Sequence, residues 1–170
     1  MKKKYDFAIV SGGFDPVHVG HLRMFQDAKK IADKVILLLN NDEWLIKKKG
    51  KPFMNQNQRK EILEEFISIS EVIIQSSSEP SSSKAIEEFV SKNRNKSICY
   101  CNGGDRSNIE NIRESKVCNK LGVNLEFGIG GKNKIESSSN LTKNYLGNIE
   151  KRPWGNYHII AKNLGYQIKE

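Results

Sequence analysis

Short apolar runs alternate along the chain with stretches in which apolar residues return every three or four positions. Asp6–Ser11 (DFAIVS) is a run of strand length that leads into two glycines. Leu22, Phe25, Ala28, Ile31 and Ala32 then recur at helical spacing, so the pattern predicts a helix from about Val19 to Asp33. Lys34–Asn40 (KVILLLN) is almost continuously apolar, as a central parallel strand covered on both faces requires. The alternation continues with a helix over Arg59–Ile67, a strand over Glu71–Gln75 and a helix over Ser81–Asn93. A strand over Ser97–Asn102, a helix over Asn108–Leu121, a strand over Val123–Gly128 and a helix over Asn140–Ile149 complete the series. This order, βαβαβαβαβα, predicts an α/β fold: a Rossmann-like open parallel sheet with helices on both faces. Ligands of such sheets bind beyond the carboxyl ends of the strands, where each motif described below is expected to lie.

The periodic pattern stops after Ile149, so residues 1–150 are expected to form one domain and residues 151–170 a tail. The 170 residues are enough for one sizeable core, and an apolar fraction of 37% is that of a globular chain. No run of about 18 apolar residues occurs, so no membrane span is expected. The stretch after Met1-Lys2-Lys3-Lys4 is too short and interrupted for a signal peptide, and a cytoplasmic protein is expected. Cys99, Cys101 and Cys118 have neither the number nor the spacing of a disulfide framework or zinc ribbon. The net charge of +8 favours an acidic partner. The basic residues outside 2–4 and 47–51 are scattered among acids, and none interleave with aromatics, so nucleic acid is not the expected partner. Ser76–Ser78 and Ser81–Ser83 flank Pro80 and suit a loop that leads into a helix cap.

The chemistry concentrates in Ser11-Gly12-Gly13-Phe14-Asp15-Pro16-Val17-His18-Val19-Gly20-His21. A strand ends in glycines, a short loop follows, and a helix begins near His18. Glycines let backbone approach a phosphate, and a helix N-terminus favours an anion. His18 and His21, three apart, share one face of the first turn and can donate hydrogen bonds to phosphate oxygens. Gly20 between them leaves room for a flat ring or a phosphate chain. No cysteine lies near them, so a zinc site is not expected. Lys47, Lys48, Lys49 and Lys51 surround Gly50 in what reads as a mobile basic loop, a point-charge site for a triphosphate. Arg59 opens a helix and can reach a phosphate or pair with nearby glutamates. Asp42 ends a strand, where it can cap or bind ribose, substrate or metal. Asn102-Gly103-Gly104-Asp105 lets a base or ribose lie against backbone, and Ser137, Ser138 and Ser139 offer hydroxyls and N–H groups at a helix start.

These blocks, in this order, resemble the HxGH nucleotidyltransferase superfamily over about residues 5–150. The segment from Asn102 to Asp105 is similar to that of sugar-phosphate adenylyltransferases, and Ser137–Ser139 to a Ser-Thr-Thr segment of the family. The resemblance implies in-line attack of a substrate phosphate on the α-phosphorus of a nucleoside triphosphate, with loss of pyrophosphate. It implies catalytic roles for His18, His21, the lysine at 48 or 49, and Arg59. Nucleotide contacts are implied at Gly12, Gly13, Phe14, His18, Gly20, His21, Gly103, Gly104, Asp105, Ser137, Ser138 and Ser139. Substrate contacts are implied at Asp15 and Asp42. Mg²⁺ is expected to accompany the triphosphate, with no all-protein metal cage. Heptose-1-phosphate adenylyltransferases and glycerol-3-phosphate cytidylyltransferases are the two nearest types. Gly103-Gly104-Asp105 and Pro80 before the third helix look more like the first type, so ATP and a sugar 1-phosphate are expected, with CTP and glycerol 3-phosphate or a similar polyol or ethanolamine phosphate as the alternative. Lysines (132 and 134) stand where the cytidylyltransferase pattern has an arginine, and serines where it has threonines. A homodimer is expected from the family's habit. Arg152-Pro153-Trp154-Gly155-Asn156-Tyr157 in the tail resembles the start of a cupin domain of mannose-6-phosphate isomerases.

Overall fold

The computed structural model describes residues 2–103, 112–131 and 136–149, the last without the side chains of 145–149. Its elements run β1 (Tyr5–Gly12), α1 (Val19–Ile31), β2 (Ala32–Leu39), α2 (Asp42–Lys49), α3 (Gln56–Glu64), β3 (Glu71–Ile74), α4 (Ser83–Lys92), β4 (Ile98–Gly103), α5 (Ser115–Leu121), β5 (Asn124–Ile129) and α6 (Ser138–Ile149). The five strands form one parallel sheet in the order β3-β2-β1-β4-β5. β1 aligns Ala8 with Val35 on one side and with Cys99 on the other.

The alternation of side chains along each strand divides the core in two. On one face Ala8, Val10, Val35, Leu37 and Leu39 pack with Phe25 and Ala28 of α1 and Leu63 of α3. On the other, Ile9, Ile36, Leu38 and Tyr100 pack with Ile86 and Phe89 of α4 and Val117 and Cys118 of α5. Burial on both sides explains why Lys34–Asn40 reads as an unbroken apolar run rather than an alternating one. Strand order reverses at β1, which neighbours β2 on one side and β4 on the other. The β1/β4 crevice is therefore the switch point where ligands of such sheets bind. Ser11 and Tyr100 join their hydroxyls across it at 2.6 Å.

Two expected elements differ. The basic stretch at 47–49 is the last turn of α2, not a loop. Asn41 caps that helix by accepting the Trp44 N–H at 2.9 Å, and Gly50, at φ 85°, ends it. The left-handed backbone there is the reason for the glycine. The helix expected over Asn108–Leu121 starts at Ser115, and residues 104–111 lie outside the described residues. Ser82 is the N-cap of α4 but its hydroxyl makes no capping bond; the Ser83 N–H donates to Ser81 Oγ at 3.2 Å and the Ser82 N–H to Glu114 at 2.9 Å. After β5, Gly130 at φ 88° brings backbone against α1. A Cβ there would come within 2.9 Å of the Met24 nitrogen, and the Gly130 N–H donates to Asp27 at 3.0 Å.

The chain divides into two compact units, residues 1–137 and 138–170. All of the sheet belongs to the first, and α6 opens the second. The expected tail, 151–170, lies outside the described residues. Among the described residues no helix is long and apolar enough to cross a membrane, and Cys99, Cys101 and Cys118 are buried free thiols.

Candidate active site

The loop after β1 is shaped by Phe14. This residue takes a positive φ of 49°, which places its ring back over the end of the strand. A Cβ on Gly12 would approach that ring to 3.1 Å. The Phe14 side chain is buried against His21 (ring centroids 4.8 Å apart) and Phe25 (5.5 Å). Phe14, expected among nucleotide contacts, thus supports the loop from within the core.

His18 is the N-cap of α1 and His21 its third residue. Their imidazoles stack, with centroids 3.7 Å apart and planes 23° apart. A Cβ on Gly20 would press on the His18 ring at 3.1 Å, so the flat ring that Gly20 makes room for is that of His18. The His18 backbone N–H donates to Nδ1 of His21 at 3.3 Å. With Nδ1 accepting, the proton of neutral His21 sits on Nε2, a donor. Burial, reinforced by His18 and Lys49, pushes the His21 pKa from 6.5 down to about 3. His21 is therefore neutral at physiological pH and suits hydrogen-bond donation rather than proton abstraction.

That shift has a consequence for stability. Unfolded His21 takes up a proton near pH 6.5, and folded His21 does so only near 3. Its contribution is thus complete above 6.5 and is lost as pH falls toward 3. The urea midpoint of the wild type should fall more steeply between pH 6.5 and 4 than that of His21→Gln. Equal slopes would contradict the shift.

Three side chains join the loop to the segments after β2. The Asp15 carboxylate is buried and accepts the Phe53 and Met54 N–H groups, each at 2.8 Å. Lys49 Nζ donates to the Asp15 carbonyl at 2.7 Å, which holds the end of α2 on the loop. Burial lowers the Lys49 pKa, Asp15 opposes that shift, and Arg59 adds to it. Arg59 has no exposed surface. Its Nη1 donates to the carbonyls of Gly13 (2.7 Å) and Asn40 (2.8 Å), its Nε to Met54 (3.1 Å), and its Nη2 to the Asp42 carboxylate (2.7 Å). The expectation that Arg59 opens its helix is corrected: α3 starts at Gln56, with Asn55 as cap. Lys48 leaves the other side of α2 and places its ammonium 4.5 Å from the Trp44 ring centroid. Lys47 pairs with Glu43 at 2.9 Å.

Residues 9–126 match the cytidylyltransferase-like family, a stretch that contains the second half of β1, the histidine turn, α2, α3 and β4. The chain belongs to this family. It is 33% identical over 76 residues to the FAD synthase of Thermococcus sibiricus, covering 44% of this chain and 51% of that protein. It is 34% identical over 73 residues to the glycerol-3-phosphate cytidylyltransferase of Bacillus subtilis, covering 43% and 54%. The chain spans about half the length of the curated relatives it matches. The lipopolysaccharide core biosynthesis protein of Thermoplasma volcanium shares the fold, with a TM-score of 0.55 at 20% identity over 72% of this chain and 93% of that one.

In this cytidylyltransferase-like chain the other expected residues are distributed as follows. Gly103 ends β4 beside the crevice, and Gly104 and Asp105 lie outside the described residues. Ser137 closes the first unit, while Ser138 and Ser139 belong to the first turn of α6 in the second. Asn102 is a residue whose role the sequence did not single out. It sits at a register shift between β4 and β5, is 2% exposed, and its Oδ1 has no hydrogen-bond partner among the described residues. Such an orphaned acceptor is costly unless something donates to it. The register shift at which it sits is invisible in sequence.

Among the described residues no group of three or more His, Cys, Asp or Glu could hold a metal ion. The two carboxylates nearest the loop, Asp15 and Asp42, already accept from Phe53, Met54 and Arg59. These residues do not form a protein-built metal cage.

Proposed function

We propose that this protein transfers a nucleoside monophosphate from a nucleoside triphosphate to a phosphorylated small molecule, releasing pyrophosphate. The observation that carries this reading is the stacked His18–His21 pair at the N-terminus of α1, with Lys49 held beside it through Asp15. An oxygen of the acceptor phosphate, already ionised at pH 7, attacks the α-phosphorus. A new P–O bond forms as the bond to the β-phosphate breaks, and its electron pair leaves on pyrophosphate. No protein group needs to take a proton. Catalysis is then alignment plus stabilisation of charge on the phosphate oxygens.

His21 Nε2–H and His18 donate to those oxygens, with the positive end of the α1 dipole behind them. Lys49 neutralises the leaving pyrophosphate. Gly12, Gly13 and Gly20 let Phe14, Leu45 and His18 pack closely on the loop that binds the phosphates. Gly103, at the end of β4, meets the nucleoside. Arg59, Asp15 and Asp42 act as positioning residues that fix the loop to α2 and α3, in place of the direct contacts first expected of them. Mg²⁺ is proposed as the companion of the triphosphate, where it would neutralise charge on the phosphate oxygens.

ATP and a sugar 1-phosphate are the proposed pair. The B. subtilis relative favours CTP and glycerol 3-phosphate as the second reading. A cytoplasmic homodimer acting on small molecules, without nucleic acid or membrane partners, completes the proposal. Pyrophosphate release should appear with one of ATP, CTP, GTP or UTP when hexose 1-phosphates, heptose 1-phosphate, glycerol 3-phosphate or ethanolamine phosphate are offered in turn. Triphosphate binding without release from any pair would favour a non-catalytic nucleotide-binding module instead.

The two lysines should separate by kinetics. Lys49→Ala is expected to lower kcat/KM for the triphosphate by about 10²-fold, as loss of a charge-stabilising group does. Lys48→Ala, assayed at saturating acceptor, should leave kcat within about threefold of wild type, because its ammonium lies over Trp44. The reverse ranking would transfer the role to Lys48.

A further inference from the structure

A cleft of about 630 Å³ opens beside the glycine loop and is assigned no part above. Trp44, Lys47 and Lys48 of α2 form one wall. Ser78–Pro80, which follow β3, and Arg113 and Glu114, which precede α5, form the rest. It begins at the phosphate loop itself: a Cβ on Gly13 would lie 3.7 Å from Cζ3 of Trp44 and 2.9 Å from Cδ2 of Leu45. A molecule in the cleft would thus end within reach of the carboxyl end of β1.

The lining has a definite chemistry. Three cations face it, from Lys47, Lys48 and Arg113, against the carboxylates of Glu79 and Glu114. Glu114 is buried, and its Oε1 accepts the Ser82 N–H at 2.9 Å and the Ser81 hydroxyl at 3.1 Å, so it secures α4 rather than the cleft's contents. Arg113 is exposed, and its bond to the Pro80 carbonyl is a long 3.3 Å. The Lys47–Glu43 pair is exposed, and such pairs exchange for another anion at little cost, about 0–1 kcal/mol. Trp44 supplies the one large aromatic surface, with the Lys48 ammonium 4.5 Å from its centroid. An apolar C–H face laid on an indole, with a phosphate beside the same ammonium, uses both groups at once. A volume of 630 Å³ is in the range of pockets that enclose a ring-bearing ligand, about 300–1,000 Å³, and a three-carbon phosphate would leave most of it to water.

We infer that this cleft seats the acceptor, and that Trp44, Lys48 and Arg113 select a ring-bearing sugar 1-phosphate over an open-chain polyol phosphate. The inference rests on the transfer reaction proposed above, but its test does not require turnover. The chain has two tryptophans, so a full-length Trp154→Phe protein reports on Trp44 alone. Its emission is followed during titration with α-D-glucose 1-phosphate, α-D-mannose 1-phosphate and glycerol 3-phosphate, each with a non-hydrolysable ATP or CTP analogue present. A hexose 1-phosphate should give a saturable change at a concentration at least tenfold below that needed with glycerol 3-phosphate. Lys48→Ala and Arg113→Ala, with unchanged circular dichroism, should each weaken that response at least fivefold. An absent response to both hexose phosphates, equal or tighter binding of glycerol 3-phosphate, or indifference to both substitutions would overturn the inference. Pyrophosphate release by the same protein separates the two proposals. Release with a silent Trp44 removes the cleft assignment alone. Saturable binding without release removes the transfer reaction and leaves a sugar-phosphate site.

Discussion

Alanine in place of His21 is expected to lower kcat by about 10²-fold or more, with a smaller change in KM for the triphosphate. The imidazole is neutral, its Nδ1 is engaged by the His18 N–H, and Nε2–H is the donor left for a phosphate oxygen on which charge builds in the transition state. His18→Ala should cost a similar factor and also unstack His21, since the rings lie 3.7 Å apart. The double variant should therefore lose less than the product of the two single losses. His21→Gln retains a donor and should recover part of the rate. Because the His21 pKa lies near 3, kcat should show no titration of this group between pH 5 and 8. A single variant with near-wild-type turnover, or an activity that needs a protonated histidine near pH 6, would contradict these roles.

The largest expected effect on stability is at Arg59. Its guanidinium is wholly buried and holds three carbonyls and the Asp42 carboxylate, which come from the ends of β1 and β2, from α2, and from the approach to α3. Arg59→Ala leaves those acceptors unpaired around a void and should destabilise the fold by about 3–5 kcal/mol, the range for breaking one side of a buried ion pair. Arg59→Lys should recover little, because an ammonium cannot reproduce the planar fork. Arg59→Met combined with Asp42→Leu should be less destabilised than Arg59→Met alone, because the unpaired carboxylate is gone. Urea titrations of the four variants measure this. A loss under about 1 kcal/mol in Arg59→Ala would show that Arg59 does not hold the loop and would restore it as a direct phosphate contact.

The strand–glycine–histidine block was legible because its information is local. Gly12, Phe14, Gly20 and His21 constrain one another within a few residues, and the turn they predict is the turn observed. The sheet was legible because burial on both faces writes continuous apolar runs into β1, β2 and β4. The lysine run misled because four cations within five residues read as a loop. The signals for α2 were nevertheless present: Asn41 as cap, Asp42 and Glu43 in the first turn, and Gly50 past the end. Arg59 was the harder case. Its partners include Gly13, 46 residues earlier, and no local pattern distinguishes an arginine reaching solvent from one folded inward. Asn102 and the Trp44 cleft likewise depend on segments that meet only in the folded chain.

Transfer of the α-phosphorus can be followed by labelling that atom. The full-length protein is incubated with α-³²P-labelled ATP, or CTP, and each phosphorylated acceptor, and both the labelled product and pyrophosphate are quantified. Label should move from the triphosphate to one acceptor with one pyrophosphate formed per product, and the transfer should fall about 10²-fold in His21→Ala. Label released only as free nucleotide, or the absence of any labelled product with every acceptor while the triphosphate binds, would contradict it.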